Sequence, residues 1–103
     1  MLSEIIKCFA NGKILYTSHA RKEMIEEEFG KIKEHEVVEA IYTGEIIEEY
    51  LDDKPYPSVL IFGKSRNKPI HIVCAYSDEE NIAIIITVYR PNPDRWNGYR
   101  RRI

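Results

Sequence analysis

With 103 residues, 44% of them apolar and 31% charged, the chain is long enough for one hydrophobic core and too short for two. Its formal net charge is -2, not the strongly basic balance of proteins that grip nucleic acid by bulk charge. No stretch approaches the ~18 apolar residues that cross a bilayer. Met1-Leu2-Ser3-Glu4 brings an acid straight into a helical pattern, so a cytoplasmic protein without a signal peptide or membrane association is expected.

In chain order, Leu2, Ile5, Ile6 and Phe9 recur at helical spacing and Asn11-Gly12 is a stop, which predicts a first helix ending near Ala10. Lys13-Ile14-Leu15-Tyr16 then leads to Thr17 or Ser18 as the N-cap of a second helix, Ser18 to about Phe29. That helix would bury Ala20, Met24, Ile25 and Phe29, carry His19 in its first turn and end at Gly30. A third helix, about Lys33 to Tyr42, would bury Val37, Val38 and Ile41 and stop at Gly44.

Beyond Gly44 the apolar period changes to two. Glu45–Tyr50 reads as a strand, Asp52-Asp53-Lys54-Pro55 as a turn, and Ser58–Phe62 as a second strand with Pro57 tolerated at its start. Gly63–Lys68 reads as a loop. Pro69–Trp96 then reads as a hairpin around Ser77-Asp78-Glu79-Glu80-Asn81 that runs into a Pro-punctuated arm. Opposing Tyr76 to Ile82 sets Ile70, Ile72 and Cys74 against Val88, Ile86 and Ile84 on one apolar face. The other face then holds His71, Val73 and Ala75 beside Thr87, Ile85 and Ala83, with Tyr89 diagonal to His71. The expectation is a single α+β domain whose N-terminal helices pack on one face of a four-stranded antiparallel sheet. Its helical part spans about 1–44, its sheet about 45–90 and a basic C-terminal arm about 91–103.

The small net charge conceals an asymmetry. Glu23 to Asp53 holds twelve acids against Lys31 and Lys33, whereas Arg90, Arg95, Arg100, Arg101 and Arg102 face only Asp94. The acidic run reads as a solvated helix surface; the basic tail reads equally as a phosphate-binding arm or a frayed terminus. His19 with Glu23 and His35 with Glu39 are four apart, but two ligands without a third do not make a metal site, so none is expected. Cys8 and Cys74 lack metal spacing and read as reduced, buried thiols.

His71 stands out because its strand is otherwise apolar. It is either an imidazole satisfied at the core edge or a working group. Pro91 and Pro93 force an extended path that would hold Arg90, Arg95 and Trp96 in place, with Trp96 packing the tail onto the body or offering a platform for a base. No Gly-rich phosphate loop, zinc ribbon, nucleophile elbow or paired-carboxylate motif is present. The groups on offer suit metal-free RNA cleavage, in which a base deprotonates the 2′-hydroxyl, an acid protonates the 5′-oxygen and a cation steadies the phosphorane.

Several blocks carry a family resemblance: His19-Ala20 with Met24, Gly44–Tyr50, Pro55-Tyr56-Pro57-Ser58, His71–Ala75 and Tyr89–Trp96. They resemble the H-A-x-x-x-M, G-x-[IV]-I-E-x-Y, P-Y-P-S, H-x-V-x-A and Y-x-P-x-P-x-x-W blocks of the prokaryotic domain-of-unknown-function family 4258. The resemblance implies an architecture similar to RelE-like and BrnT-like toxins. It also implies a cofactor-independent endoribonuclease toxin of a type II toxin–antitoxin pair, with RNA as substrate and a partner antitoxin carrying a zinc ribbon and a helix-turn-helix.

Carried over by position, the motif residues are His19, Ser58, His71, Tyr89, Arg90 and Trp96. On that reading His71 or His19 is the base or acid, and Tyr89 is a second proton donor or an orienting group. Arg90, Arg95, Trp96, Arg100 and Arg101 would contact RNA. The alternative is a non-catalytic module that binds a protein or small ligand with the same sheet face, which the acidic middle favours. His19 and His71 sharing a pocket lined by Arg90 would speak for chemistry; His71 hydrogen-bonded in the core would speak for the module.

Overall fold

The computed structural model describes residues 1–103. Its first helix, α1 (Leu2–Ala10), buries Ile5, Cys8 and Phe9 on one stripe and ends where Gly12 turns the chain at φ +69°. The next segment was expected only to lead into a helix. It is a three-residue strand, β1 (Ile14–Tyr16), parallel to the strand that closes the main hairpin. The sheet is therefore five-stranded and mixed, not four-stranded and antiparallel. Three residues cannot display a period of two, and the partner of β1 lies some seventy residues onward, so no local pattern announces it.

α2 (Ser18–Glu26) starts at Thr17, whose hydroxyl accepts the Ala20 N–H at 3.0 Å. It is shorter than expected. Glu27 leaves helical geometry, and the Ile32 N–H returns to the Met24 carbonyl at 2.9 Å. Ile32 therefore fills the core position that Phe29 was expected to take, and Ile25 and Phe29 are exposed while Ala20 and Met24 are buried. α3 (Glu34–Tyr42) is capped by Glu36, which accepts the Lys33 N–H at 2.8 Å, and buries Val37, Ala40 and Ile41.

The remaining strands are β2 (Glu45–Tyr50), β3 (Ser58–Ser65), β4 (Lys68–Ser77) and β5 (Ile82–Tyr89), in spatial order β1-β5-β4-β3-β2. The loop expected at Gly63–Lys68 is a strand extension with a two-residue turn. Arg66 and Asn67 both hold positive φ, the conformation that matches the twist of a tight hairpin. Gly63 lets α3 sit directly on β3, because a Cβ there would lie 1.8 Å from the Ala40 carbonyl oxygen.

The β4–β5 register also differs from expectation. Tyr76 opposes Ala83, not Ile82, and Ile86 is an extra residue between the pairs Val73–Thr87 and Cys74–Ile85. This bulge shifts the alternation of β5 by one, so Ala83, Ile85 and Val88 enter the core while Ile84 and Ile86 are half-buried. His71 now faces Tyr89 directly.

The three helices cover one sheet face, and the core lies between them and β3, β4 and β5. A second layer covers part of the other face. After Pro91 and Pro93 the chain forms β6 (Trp96–Asn97) and β7 (Arg101–Arg102), a small antiparallel pair that buries Trp96. The basic tail is neither a free arm nor frayed; it is folded onto the body.

Candidate functional site

α2 meets the sheet where β1 stops. Thr17 donates its amide to the Ile85 carbonyl at 3.0 Å and its hydroxyl to the Ile86 carbonyl at 3.2 Å. Six residues on, Glu23 accepts the Val88 N–H at 3.1 Å. Side chains of α2 thus complete an edge of β5 that a longer β1 would have covered. His19 stands on the outer side of this helix, exposed, with Nε2 3.3 Å from Glu23.

His71 lies deeper, with no accessible surface. Its Nε2 is 2.7 Å from the Tyr99 carbonyl oxygen, an acceptor, so Nε2 carries the proton. Nδ1 is then the acceptor and takes the Tyr89 hydroxyl at 3.0 Å. The Trp96 ring stands edge-on to the imidazole at 4.5 Å between centroids. Burial pulls the His71 pKa down to about 4, against the opposing pull of the Tyr99 carbonyl and Glu48. Burial pushes the Tyr89 phenol up to about 12. The neutral imidazole and protonated phenol therefore form one fixed unit at neutral pH.

The arginines expected to meet phosphate have other partners. Arg90 donates Nε to the Gly30 carbonyl at 2.9 Å and Nη2 to the Lys31 carbonyl at 3.2 Å, and pairs with Glu36 at 3.1 Å. It staples the end of β5 to the link between α2 and α3. Burial resists the charge of Glu36, but the Lys33 amide and Arg90 outweigh it and leave the carboxyl below its usual range. Arg90 Nη1 is buried without a partner.

Arg102 grips both carboxylate oxygens of Glu48 at 2.9 and 3.1 Å and lies 4.7 Å above the Trp96 ring. Arg100 pairs with Glu45 and lies 4.9 Å above Phe62. Two tail arginines thus neutralise two acids of β2. Arg95 and Arg101 remain exposed and without an ion-pair partner.

A cleft of about 960 Å³ runs between the end of α2 and the C-terminal segment. It gathers His19, Tyr89, Arg90, Arg95 and Trp96 from the sequence-based set. His71 is not on its surface; it sits behind Tyr89. Arg101 is elsewhere, and Arg100 borders a separate pocket of about 390 Å³. His71, expected as base or acid, is enclosed, and Arg90 and Arg100, expected on phosphate, are paired with Glu36 and Glu45. Ser58, from the P-Y-P-S block, is buried and donates to Asp53 at 2.6 Å.

The model of the family described as Domain of unknown function (DUF4258) matches residues 16–90. The chain belongs to the DUF4258 family. The DUF4258 match runs from the end of β1 to the residue after β5, and so takes in His19, His71, Tyr89 and Arg90. Trp96 and the β6–β7 pair lie beyond it. No curated protein and no solved structure matches the chain.

Sequence reasoning missed Tyr99, which acts through a backbone carbonyl and so leaves no side-chain signal. It also missed the acids at the end of α2 as a cleft wall, since they read as solvated surface. No three His, Cys, Asp or Glu side chains converge as metal ligands, and no helix is long and apolar enough to cross a membrane. Cys8 and Cys74 are buried and unpaired, with thiols that burial holds above their ordinary pKa, up to about 12 for Cys74.

Proposed function

We propose that this DUF4258 protein is a non-catalytic protein-binding module, with the cleft between α2 and the C-terminal segment as its docking surface. One observation carries the reading: His71 is wholly buried and uses both ring nitrogens to hold its own fold together. An imidazole in that state cannot reach a substrate hydroxyl, because a general base must come within hydrogen-bond distance of the proton it takes. The arginines around it are committed to carboxylates and carbonyls, which removes much of the phosphate attraction on which RNA affinity depends.

A second reading has its own support. His19 is exposed and shares the cleft with Tyr89 and Arg95, a set that offers a base, an acid and a cation without metal. On that reading the protein is a cytoplasmic RelE-like or BrnT-like endoribonuclease toxin, restrained by an antitoxin with a zinc ribbon and a helix-turn-helix.

Induced expression in a bacterial host separates the two. Growth and RNA integrity are compared for wild type, His19→Ala and Tyr89→Phe, each checked for folding. The module reading expects normal growth and intact RNA in all three. Arrest with RNA decay in wild type that disappears in folded His19→Ala would replace it with the toxin reading.

A further inference from the structure

The cleft is electrostatically one-sided. Glu23, Glu26, Glu27 and Glu28 line it from the end of α2, and Asp94 lines it from the other wall. Four basic side chains also line it, but Arg90 and Arg102 are neutralised by Glu36 and Glu48, which lie outside the cleft. Five carboxylates thus share the space with two uncommitted cations, Lys22 and Arg95, besides the imidazole of His19 against Glu23.

The position of the acids sharpens the imbalance. The C-terminal end of a helix is the negative pole of its dipole, where cations stabilise and acids destabilise. α2 has no basic residue in its last turn, and its acids crowd that end. The fold therefore carries an electrostatic penalty here that a bound cation would relieve. Arg90 also lines the cleft, is nine-tenths buried and has an enclosed Nη1 without an acceptor, so it offers the cleft no free cationic donor. Phe29, more than half exposed on the acidic wall, offers an apolar surface for long side-chain stems.

We infer that the cleft docks a cationic segment, rich in Arg and Lys, of a partner protein. The inference rests on the binding-module reading and names the chemistry of the occupant. Arg or Lys side chains of the segment neutralise the Glu26–Glu28 wall and the α2 dipole. A metal ion would answer the acids, but no three ligands converge to hold one. RNA would meet the carboxylates with its own phosphates.

The full-length protein is titrated with a short Arg/Gly peptide and an equally long Glu/Gly control, and binding is followed by emission of Trp96, the chain's single tryptophan and a cleft residue. The Arg/Gly peptide is expected to bind, less tightly as salt rises, and the Glu/Gly peptide not to bind. Glu26→Gln with Glu28→Gln should weaken binding by roughly fivefold to tenfold, on the scale of two exposed ion pairs. Glu79→Gln with Glu80→Gln, in the β4–β5 turn, should leave it unchanged. Absence of binding, equal binding of both peptides, or equal loss in both double variants would overturn the inference. So would a single-stranded RNA that displaces the Arg/Gly peptide, or concentration-dependent self-association showing a second copy of this chain in the cleft. Failure here with normal growth and intact RNA sinks this inference alone, whereas RNA decay dependent on His19 sinks the module reading.

Discussion

Lowering the pH should destabilise this protein through His71 before its carboxylates titrate. Folding holds the imbalance in place: the imidazole has an ordinary pKa near 6.5 when unfolded and about 4 when buried against Trp96 and Tyr89. A depressed pKa means the unfolded chain takes up the proton first. The stabilising contribution is thus complete above pH 6.5 and is lost as pH falls toward 4. Between pH 7 and 5 the linkage removes about 2 kcal/mol, and about 3 kcal/mol once pH lies below 4. Glu36 and Glu48, whose carboxyls are held below their ordinary pKa, begin to lose their own contribution as pH approaches 4.5, at the acid end of the His71 range. Urea unfolding from pH 7 to 5 tests the argument in wild type and His71→Phe. The variant should be less stable at pH 7, having lost both hydrogen bonds, but its stability should change far less with pH. A flat wild-type profile, or an unchanged slope in His71→Phe, would refute the reasoning, as would a His71 titration near 6.5 by NMR.

Gly63→Ala should cost about 3 kcal/mol or prevent folding, because the new methyl meets the Ala40 backbone rather than a movable side chain; urea denaturation measures it. Arg90→Met should destabilise by about 2 kcal/mol, since it strips Glu36 and the Gly30 and Lys31 carbonyls of a donor in a site with little water; Glu36→Gln, which keeps an acceptor, should do less harm. Thr17→Val should lose about 1 kcal/mol of capping and edge hydrogen bonding, read as a lower urea midpoint with unchanged slope. Arg102→Gln should change global stability by less than about 1 kcal/mol, its guanidinium being mostly exposed, yet hydrogen exchange across residues 96–103 should quicken relative to the core strands.

The helices and most of the strands were legible because each advertises itself within a few residues: Leu2, Ile5, Ile6 and Phe9 by helical period, Thr17 by its cap, Gly12 and Gly44 by position. The losses came where a distant partner decided the outcome. β1 exists because β5 has an open edge. The bulge at Ile86 exists because Val88 and Ile85 are both needed in the core while Thr87 and Tyr89 stay on the opposite face, and an all-Ile run hides such a shift. Phe29 and Ile32 are equally apolar in sequence, and only the return of Ile32 to Met24 selects the buried one. For the candidate site, the fold brings His19, Tyr89, Arg90, Arg95 and Trp96 to one cleft, whereas the sealing of His71 depends on the Tyr99 carbonyl.

The same physics explains why the block from Tyr89 to Trp96 looks like chemistry in sequence and behaves as closure in the fold. A buried imidazole requires a donor and an acceptor at fixed places, and so does an active-site imidazole. Pro91 and Pro93 lack the amide hydrogens that would extend β5, so the chain leaves the sheet there. The Asp94 amide bonds to Asn92 Oδ1 at 2.8 Å and turns the chain back, which lays Trp96 against His71 and brings the Tyr99 carbonyl to Nε2. Tyr89, one strand over, completes the pair. The charge asymmetry resolves in the same step. Folding the tail back delivers Arg100 and Arg102 to Glu45 and Glu48, cancelling the basic end against β2, whereas Arg95 reaches the cleft without an ion pair to the acids at the end of α2. After these pairings the acids at the end of α2 still form a negative wall in the cleft, and the proposed docking of a cationic segment rests on that wall.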